Sequence, residues 1–245
     1  MLPTFRPHIR AEGWVALIGI CTCAVVFSGR LQSADEIAIY ALAYNLAQRG
    51  ALDINILAST APGMRAPPFS GIGQFGPDAN FYSGKGILPS LLALPLVRLG
   101  VVAGADPVIT ALMLNSALTV LTAFVIARYV RLELGNARAA LWSGALYLTG
   151  TMALAYAKRL FTEPTAALCV ALAFVALGSR KQSNARCVCA GLALGAAAAA
   201  SYSNLVLLPG VAALITIRNG RAFGMAMLCL ADCRCAALAD RVSHL

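Results

Sequence analysis

Charge is what this sequence has least of. Only 12% of its 245 residues are Asp, Glu, Lys or Arg, about half the share in an ordinary soluble domain. A water-soluble core needs more polar surface than that to cover it. Histidine is nearly missing, since His8 and His244 are the only two. The eight cysteines include no Cys-x-x-Cys pair, and Cys187/Cys189 and Cys233/Cys235 stand at the wrong spacing. Zinc, redox and disulfide chemistry are therefore not expected, and no metal or cofactor is. Most cysteines lie in apolar segments and read as small buried apolar residues. A P-loop is excluded as well. Gly84-Lys85-Gly86 lacks both the upstream glycine spacing and a hydroxyl residue after the lysine.

Acidic residues are scarce too: 10 against 19 basic ones, for a net charge of +9. In a soluble chain that excess would suggest nucleic acid. Here the Lys and Arg sit in short clusters between apolar runs, so they read as topology determinants and no nucleic-acid partner is expected.

Long apolar runs are what the chain has instead, with 60% hydrophobic residues. A spanning helix needs about 20 mostly apolar residues. Six segments approach this, at about 13–29, 107–127, 139–157, 164–179, 187–200 and 204–217, and a seventh at 222–231 is short. The expected fold is all-α, a single polytopic transmembrane domain over 1–245 with about six or seven spans. Arg6 and Arg10 place the N-terminus in the cytoplasm. Residues 1–30 have a basic start, but Val26-Phe27-Ser28-Gly29 is a poor cleavage site, so an uncleaved helix is expected.

The segment 86–104 is apolar but carries Pro89, Pro95 and Arg98, and the prolines are expected to interrupt it. Basic stretches at 128–138, 180–186 and 218–221 all fall inside only if 86–104 does not cross. It reads as a juxtamembrane or re-entrant helix on the outer side. The alternative is that it crosses and a second short span restores the register.

Residues 30–106 then form a large outer loop, which holds Asp35, Glu36, Asp53, Asp78 and Asp106. It opens with Ser33-Ala34-Asp35-Glu36 before an apolar run containing Tyr40 and Tyr44. Ser-x-x-Glu is a capping box, which by itself accounts for both acids. The functional alternative is a carboxylate serving as general base at the membrane surface. Further on, Pro67-Pro68-Phe69-Ser70-Gly71 and Gly73-Gln74-Phe75-Gly76-Pro77 read as loop. They lead to Phe81-Tyr82-Ser83-Gly84-Lys85-Gly86. Lys85 is either a phosphate contact or a snorkelling cation.

A second polar knot is Lys158-Arg159-Leu160-Phe161-Thr162-Glu163-Pro164. Thr162 suits a helix cap and Pro164 a first turn. In the favoured topology these two cations face outward, where they either hold an anionic lipid head group or snorkel with Glu163 as partner. Gly191-x-x-x-Gly195 and the alanines at 196–200 read as close helix packing.

Taken in order, three elements resemble the GT-C class of polytopic lipid-linked glycosyltransferases, which includes protein O-mannosyltransferases and aminoarabinose transferases. They are Asp35-Glu36 with Tyr40; Tyr82-Ser83-Gly84-Lys85-Gly86 followed by Leu88-Pro89 and Pro95-Leu96; and Arg159 with Phe161-Thr162-Glu163-Pro164. The resemblance covers about residues 13–180, and Gly84 stands as an insertion before the lysine. It implies transfer of a sugar from a polyprenyl-phosphate donor to an acceptor on the outer face of a bacterial inner membrane. Asp35 would activate the acceptor hydroxyl, with inversion at the sugar carbon, and Glu36 would be a supporting acid. Lys85 and Arg159 would contact the donor phosphate, with Lys158, Glu163, Tyr40 and Tyr82 around the substrate. The implied partners are that lipid-linked sugar and the membrane itself.

The chain is shorter than members of that class usually are. Its tail from about 230, Leu230-Ala231-Asp232-Cys233-Arg234-Cys235 onward, reads as truncated or aberrant. Two other readings compete: a transporter or flippase component, and a non-catalytic membrane protein. Few ionisable residues lie in mid-span, which weighs against a proton-coupled pump.

Overall fold

The computed structural model describes residues 10–55, 57, 72–178, 183–207 and 210. The expected spans at 204–217 and 222–231 lie largely or wholly outside these residues. So do the tail, the Pro67–Gly71 stretch and the basic residues Arg180, Lys181, Arg218 and Arg221. Among the described residues the fold is mostly helical, with eight α-helices and one short two-stranded ribbon.

Helix α1 runs Ala11–Val26 and α2 runs Ala34–Arg49. Strands β1 (Gly73–Phe75) and β2 (Phe81–Ser83) pair antiparallel, with Gln74 opposite Tyr82. Then come α3 (Ile87–Val102), α4 (Pro107–Leu134), α5 (Ala137–Gly150), α6 (Ala153–Ala157), α7 (Glu163–Gly178) and α8 (Asn184–Ala200). One described helix, α4, is long and apolar enough to cross a membrane by itself. Its 28 residues extend about 42 Å, more than a hydrocarbon core requires. Helices α1, α3, α7 and α8 are apolar but shorter, at 16 or 17 residues.

Local chemistry sets the helix boundaries. The Ser33 hydroxyl accepts the Glu36 N–H at 3.3 Å, and Glu36 accepts the Ser33 N–H at 3.2 Å. This is the capping box legible in the sequence. Helix α4 starts at Asp106, whose carboxylate accepts the Val108 N–H at 2.8 Å, with Pro107 in the first turn. It stops at Gly135, whose φ of 65° is left-handed.

Three expectations fail locally. Pro89 and Pro95 do not interrupt α3, which is continuous through both. Pro89 sits in the first turn, where no N–H bond is lost. Pro95 forfeits one, and burial of Ala93, Val97 and Gly100 holds the helix through it. Conversely, 139–157 is not one helix. Thr151 is extended, and its hydroxyl donates to the Tyr147 carbonyl and accepts the Ala153 N–H. That local bonding ends α5 and starts α6. The cysteines are also less uniformly buried than expected: Cys23 and Cys187 are buried, whereas Cys21 and Cys189 are exposed.

Side-chain pairings fix the direction of each helix. Glu12 near the start of α1 meets Arg131 near the end of α4. Gly19 lies against Val120 and Leu148, and Gly144 against Val15. Helix α1 is therefore antiparallel to α4 and parallel to α5. Gly178 at the end of α7 packs on Tyr129 of α4, so α7 runs with α4. Ile39, Ala43, Ala93, Val97, Leu112 and Leu160 form one buried cluster. It joins α2, α3, the first turns of α4 and the segment after α6 at the end of the bundle remote from Glu12.

Candidate functional site

At that end two carboxylates meet two cations. Lys85 Nζ lies 2.8 Å from Asp35 Oδ2. Arg159 Nη1 lies 3.5 Å from Glu36 Oε1. The two acids are adjacent in sequence, yet their environments differ completely. Asp35 stays 40% exposed, while Glu36 is fully buried.

The first turn of α2 explains the difference. Glu36 points back toward the chain before the helix, and its Oε2 accepts the N–H groups of Gln32 and Ser33. Its Oε1 has no hydrogen bond, and Arg159 supplies a purely ionic contact across 3.5 Å. Asp35, one position earlier, turns about 100° around the helix and reaches open space beside Lys85.

Each cation is delivered by a separate element. Lys85 follows β2, and its N–H donates to the Ser83 hydroxyl at 3.1 Å. Its neighbour Gly86 packs against the carbonyls of Ala199 and Ala200 at the end of α8. A Cβ at Gly86 would collide with both, so only glycine permits that approach. The carbonyl end of a helix favours a nearby cation.

Arg159 lies in the segment between α6 and α7. The Asn115 amide donates to the carbonyls of Arg159 at 2.6 Å and Phe161 at 2.9 Å. The Ser116 hydroxyl donates to the Ala157 carbonyl at 2.9 Å. The Ser28 hydroxyl, just past α1, donates to the Lys158 carbonyl at 3.1 Å. Tyr156 and Phe161 stack edge to face with centroids 5.5 Å apart.

The remaining residues singled out in the sequence lie elsewhere or do other work. Tyr40 is half-buried and packs on Tyr44, with ring centroids 5.8 Å apart. Burial, then Tyr44 and Asp106, push its hydroxyl up to about 12. Tyr82 is exposed and donates to Asp78 Oδ2 at 2.6 Å at the ribbon turn. Glu163 opens α7, exposed, within 3.4 Å of the Thr162 hydroxyl. Lys158 contributes its backbone carbonyl to the Ser28 bond. The geometry thus joins Asp35 with Lys85 and Glu36 with Arg159.

Sequence reasoning passed over Asn115, Ser116 and Ser28. Asn115 did carry a signal, as a fully buried amide in an apolar run. Such a group must find partners. Among the described residues no three His, Cys, Asp or Glu side chains converge as metal ligands. Comparison with protein-family models, curated proteins and solved structures finds no match to this chain.

Between α1 and α4 lies an apolar groove of about 750 Å³, lined by Ile20, Cys23, Phe27, Met113, Ser116 and Val120 among others. Its α1 wall ends at Phe27, next to the Ser28 that holds Lys158.

Proposed function

We propose that this chain is a polytopic membrane glycosyltransferase of the GT-C-like kind, transferring a sugar from a polyprenyl-phosphate donor on the extracytoplasmic face. The observation that carries the reading is the 2.8 Å pair of Asp35 with Lys85, beside Glu36 and Arg159. A half-exposed carboxylate and two cations are the groups such a transfer needs: a base for the acceptor hydroxyl and countercharge for the departing phosphate. The apolar groove between α1 and α4 runs toward this end and suits a prenyl chain.

In this reading α1, α4, α5, α7 and α8 all cross the bilayer, and the cell compartment is the bacterial inner membrane. Arg10, Arg128 and Arg138 fall at the end opposite the site, which supports a cytoplasmic N-terminus.

The acceptor oxygen attacks the anomeric carbon while its proton passes to Asp35. The bond from that carbon to the phosphate oxygen breaks, and the phosphate keeps the electron pair. Base and leaving group flank the sugar carbon on opposite sides. Lys85 therefore cannot stay on Asp35 and also hold the phosphate. Donor binding draws its flexible ammonium off Asp35, which frees the base. Glu36, enclosed and bonded, serves as the cap of α2 and the counter-ion of Arg159.

The test is transfer from a radiolabelled polyprenyl-phosphate-sugar pool in membranes expressing the chain, with Asp35→Asn beside it. Transfer lost in the variant is the expected result. Equal transfer from both proteins removes Asp35 as base. Solute flux in proteoliposomes without any transfer replaces this reading with the transporter one.

A further inference from the structure

We infer that Asn115 is a positioning residue for Arg159: from within α4 it clamps the segment that presents the guanidinium to Glu36. The inference rests on the reading of Arg159 as a phosphate contact. Arg159 lies outside any helix, and a single local bond, from its N–H to the Tyr156 carbonyl at 3.1 Å, ties it to the end of α6. Four backbone carbonyls between residues 157 and 161 are held by side chains from two other helical regions. Asn115 takes two of the four, at residues 159 and 161, and so spans the arginine's own peptide from both sides.

Burial makes the clamp rigid. Asn115 is fully buried, as is Leu160 between the two bonded carbonyls. Leu160 belongs to the cluster that includes Ile39 of α2. The segment is therefore pinned on one side to α4 and on the other to the helix that carries both carboxylates. Ser116 to Ala157 and Ser28 to Lys158 fix its approach. A preorganised cation is worth more to a developing charge than a mobile one, because no reorganisation remains at the moment of reaction.

The experiment reads arginine reactivity and needs no enzymatic turnover. The full chain in native membranes is treated with phenylglyoxal, and modification is scored peptide by peptide by mass spectrometry. Arg131 is the internal control. Its side chain is 34% exposed against 30% for Arg159, and it too pairs with a buried glutamate.

Asn115→Leu keeps the volume and removes both donors. It should raise Arg159 modification at least about fivefold, the worth of one ordinary hydrogen bond, with Arg131 unchanged. Asn115→Gln keeps the amide and should restore part of the protection. If Asn115→Leu fails to accumulate, Ser116→Ala removes a single bond and should shift Arg159 the same way by less. Arg159 unchanged, or Arg159 and Arg131 rising together, overturns the inference. In the transfer assay the same variants should raise the donor KM more than they lower kcat. A wild-type chain that transfers no sugar overturns the transferase reading, while the labelling contrast still decides the clamp.

Discussion

Asp35 and Glu36 are neighbours of the same chemical type, and the fold gives them opposite surroundings, one exposed and one buried, so their substitutions should separate. Asp35 forms one ion pair with Lys85, and the side chains are 40% and 29% exposed. Pairs so exposed contribute about 0–1 kcal/mol. Asp35→Asn should therefore cost less than about 1 kcal/mol of stability. Glu36 is different. It caps α2, worth about 1 kcal/mol. It also accepts two backbone N–H groups and neutralises Arg159 from a fully buried position. Breaking a buried pair costs about 3–5 kcal/mol when the survivor stays buried. Arg159 keeps 30% exposure and can hydrate, which places Glu36→Ala near the low end, about 3 kcal/mol. For a chain of this size about 1 kcal/mol moves Tm by about 2–4 °C. Thermal unfolding of the purified protein in detergent should show Asp35→Asn within about 3 °C of wild type and Glu36→Ala lower by about 6–12 °C. Transfer should invert that order in cause: Asp35→Asn folds and fails to turn over. Equal shifts for the two variants would refute the division of labour, and a larger shift for Asp35→Asn would reverse it.

Two further outcomes follow from the geometry. Arg131→Ala strips the 2.8 Å partner from Glu12, which is 3% exposed, and should destabilise the protein by about 3–5 kcal/mol; replacing both residues with leucine should recover most of that in the same unfolding measurement. At the ribbon, the Tyr82 hydroxyl holds the Asp78 carboxyl below its usual range, with Asn80 helping, and Asp78 in turn pushes the Tyr82 hydroxyl up. The sign follows for each group. Asp78, depressed in the folded state, contributes stability above its unfolded value of about 4 and loses it as pH falls through the folded value. Tyr82, raised, contributes below its unfolded value of about 10 and loses it as pH rises through the folded value. A tyrosine absorbance titration, taken as wild type minus Tyr82→Phe, should place Tyr82 above its ordinary value. Asp78→Asn should bring it back down, and an unmoved titration would reject the pairing.

The start of α2 was legible because its signal is local: Ser33 and Glu36 satisfy each other's orphan N–H within four residues. The capping box accounts for Glu36 alone, because Asp35, one position earlier, pairs with Lys85 instead. No local rule picks which carboxylate is which, because that depends on which direction each leaves the helix. The contact between Lys85 and Asp35 spans 50 positions and depends on Gly86 docking against α8. Nothing in the spacing of either motif encodes it. The break at Thr151 was missed because hydropathy averages over a window, and one hydroxyl bonding its own backbone does not register there. Pro95 was overweighted for the opposite reason: the breaker rule is local, whereas the burial that outweighs it comes from α2 and α4.

The ends of α3 bear on which side of the bundle the site occupies. Gly86, just before α3, packs on the last residues of α8. Gly100, near its other end, packs on Pro107 and Thr110 in the first turns of α4. Both contacts lie at the site end, so α3 begins and finishes on one side of the bundle. Its middle is tied to that same layer, since the Ser90 hydroxyl donates to the Ile39 carbonyl of α2 at 3.0 Å. A helix that crossed would have one end near Arg131, and this one does not. The parity of the bundle then depends on α1 and α4 alone. They run antiparallel, and the α2 to α3 excursion returns to the face it left. The arginines at 128, 131 and 138 consequently share an end with Arg10, and the two carboxylates share the opposite end with Lys85 and Arg159. The course of that proline-containing helix thus goes with a placement of Arg10, Arg128, Arg131 and Arg138 at the end away from the two ion pairs. At the other end Lys85 and Arg159 each face an acid, a pairing that topology alone does not require.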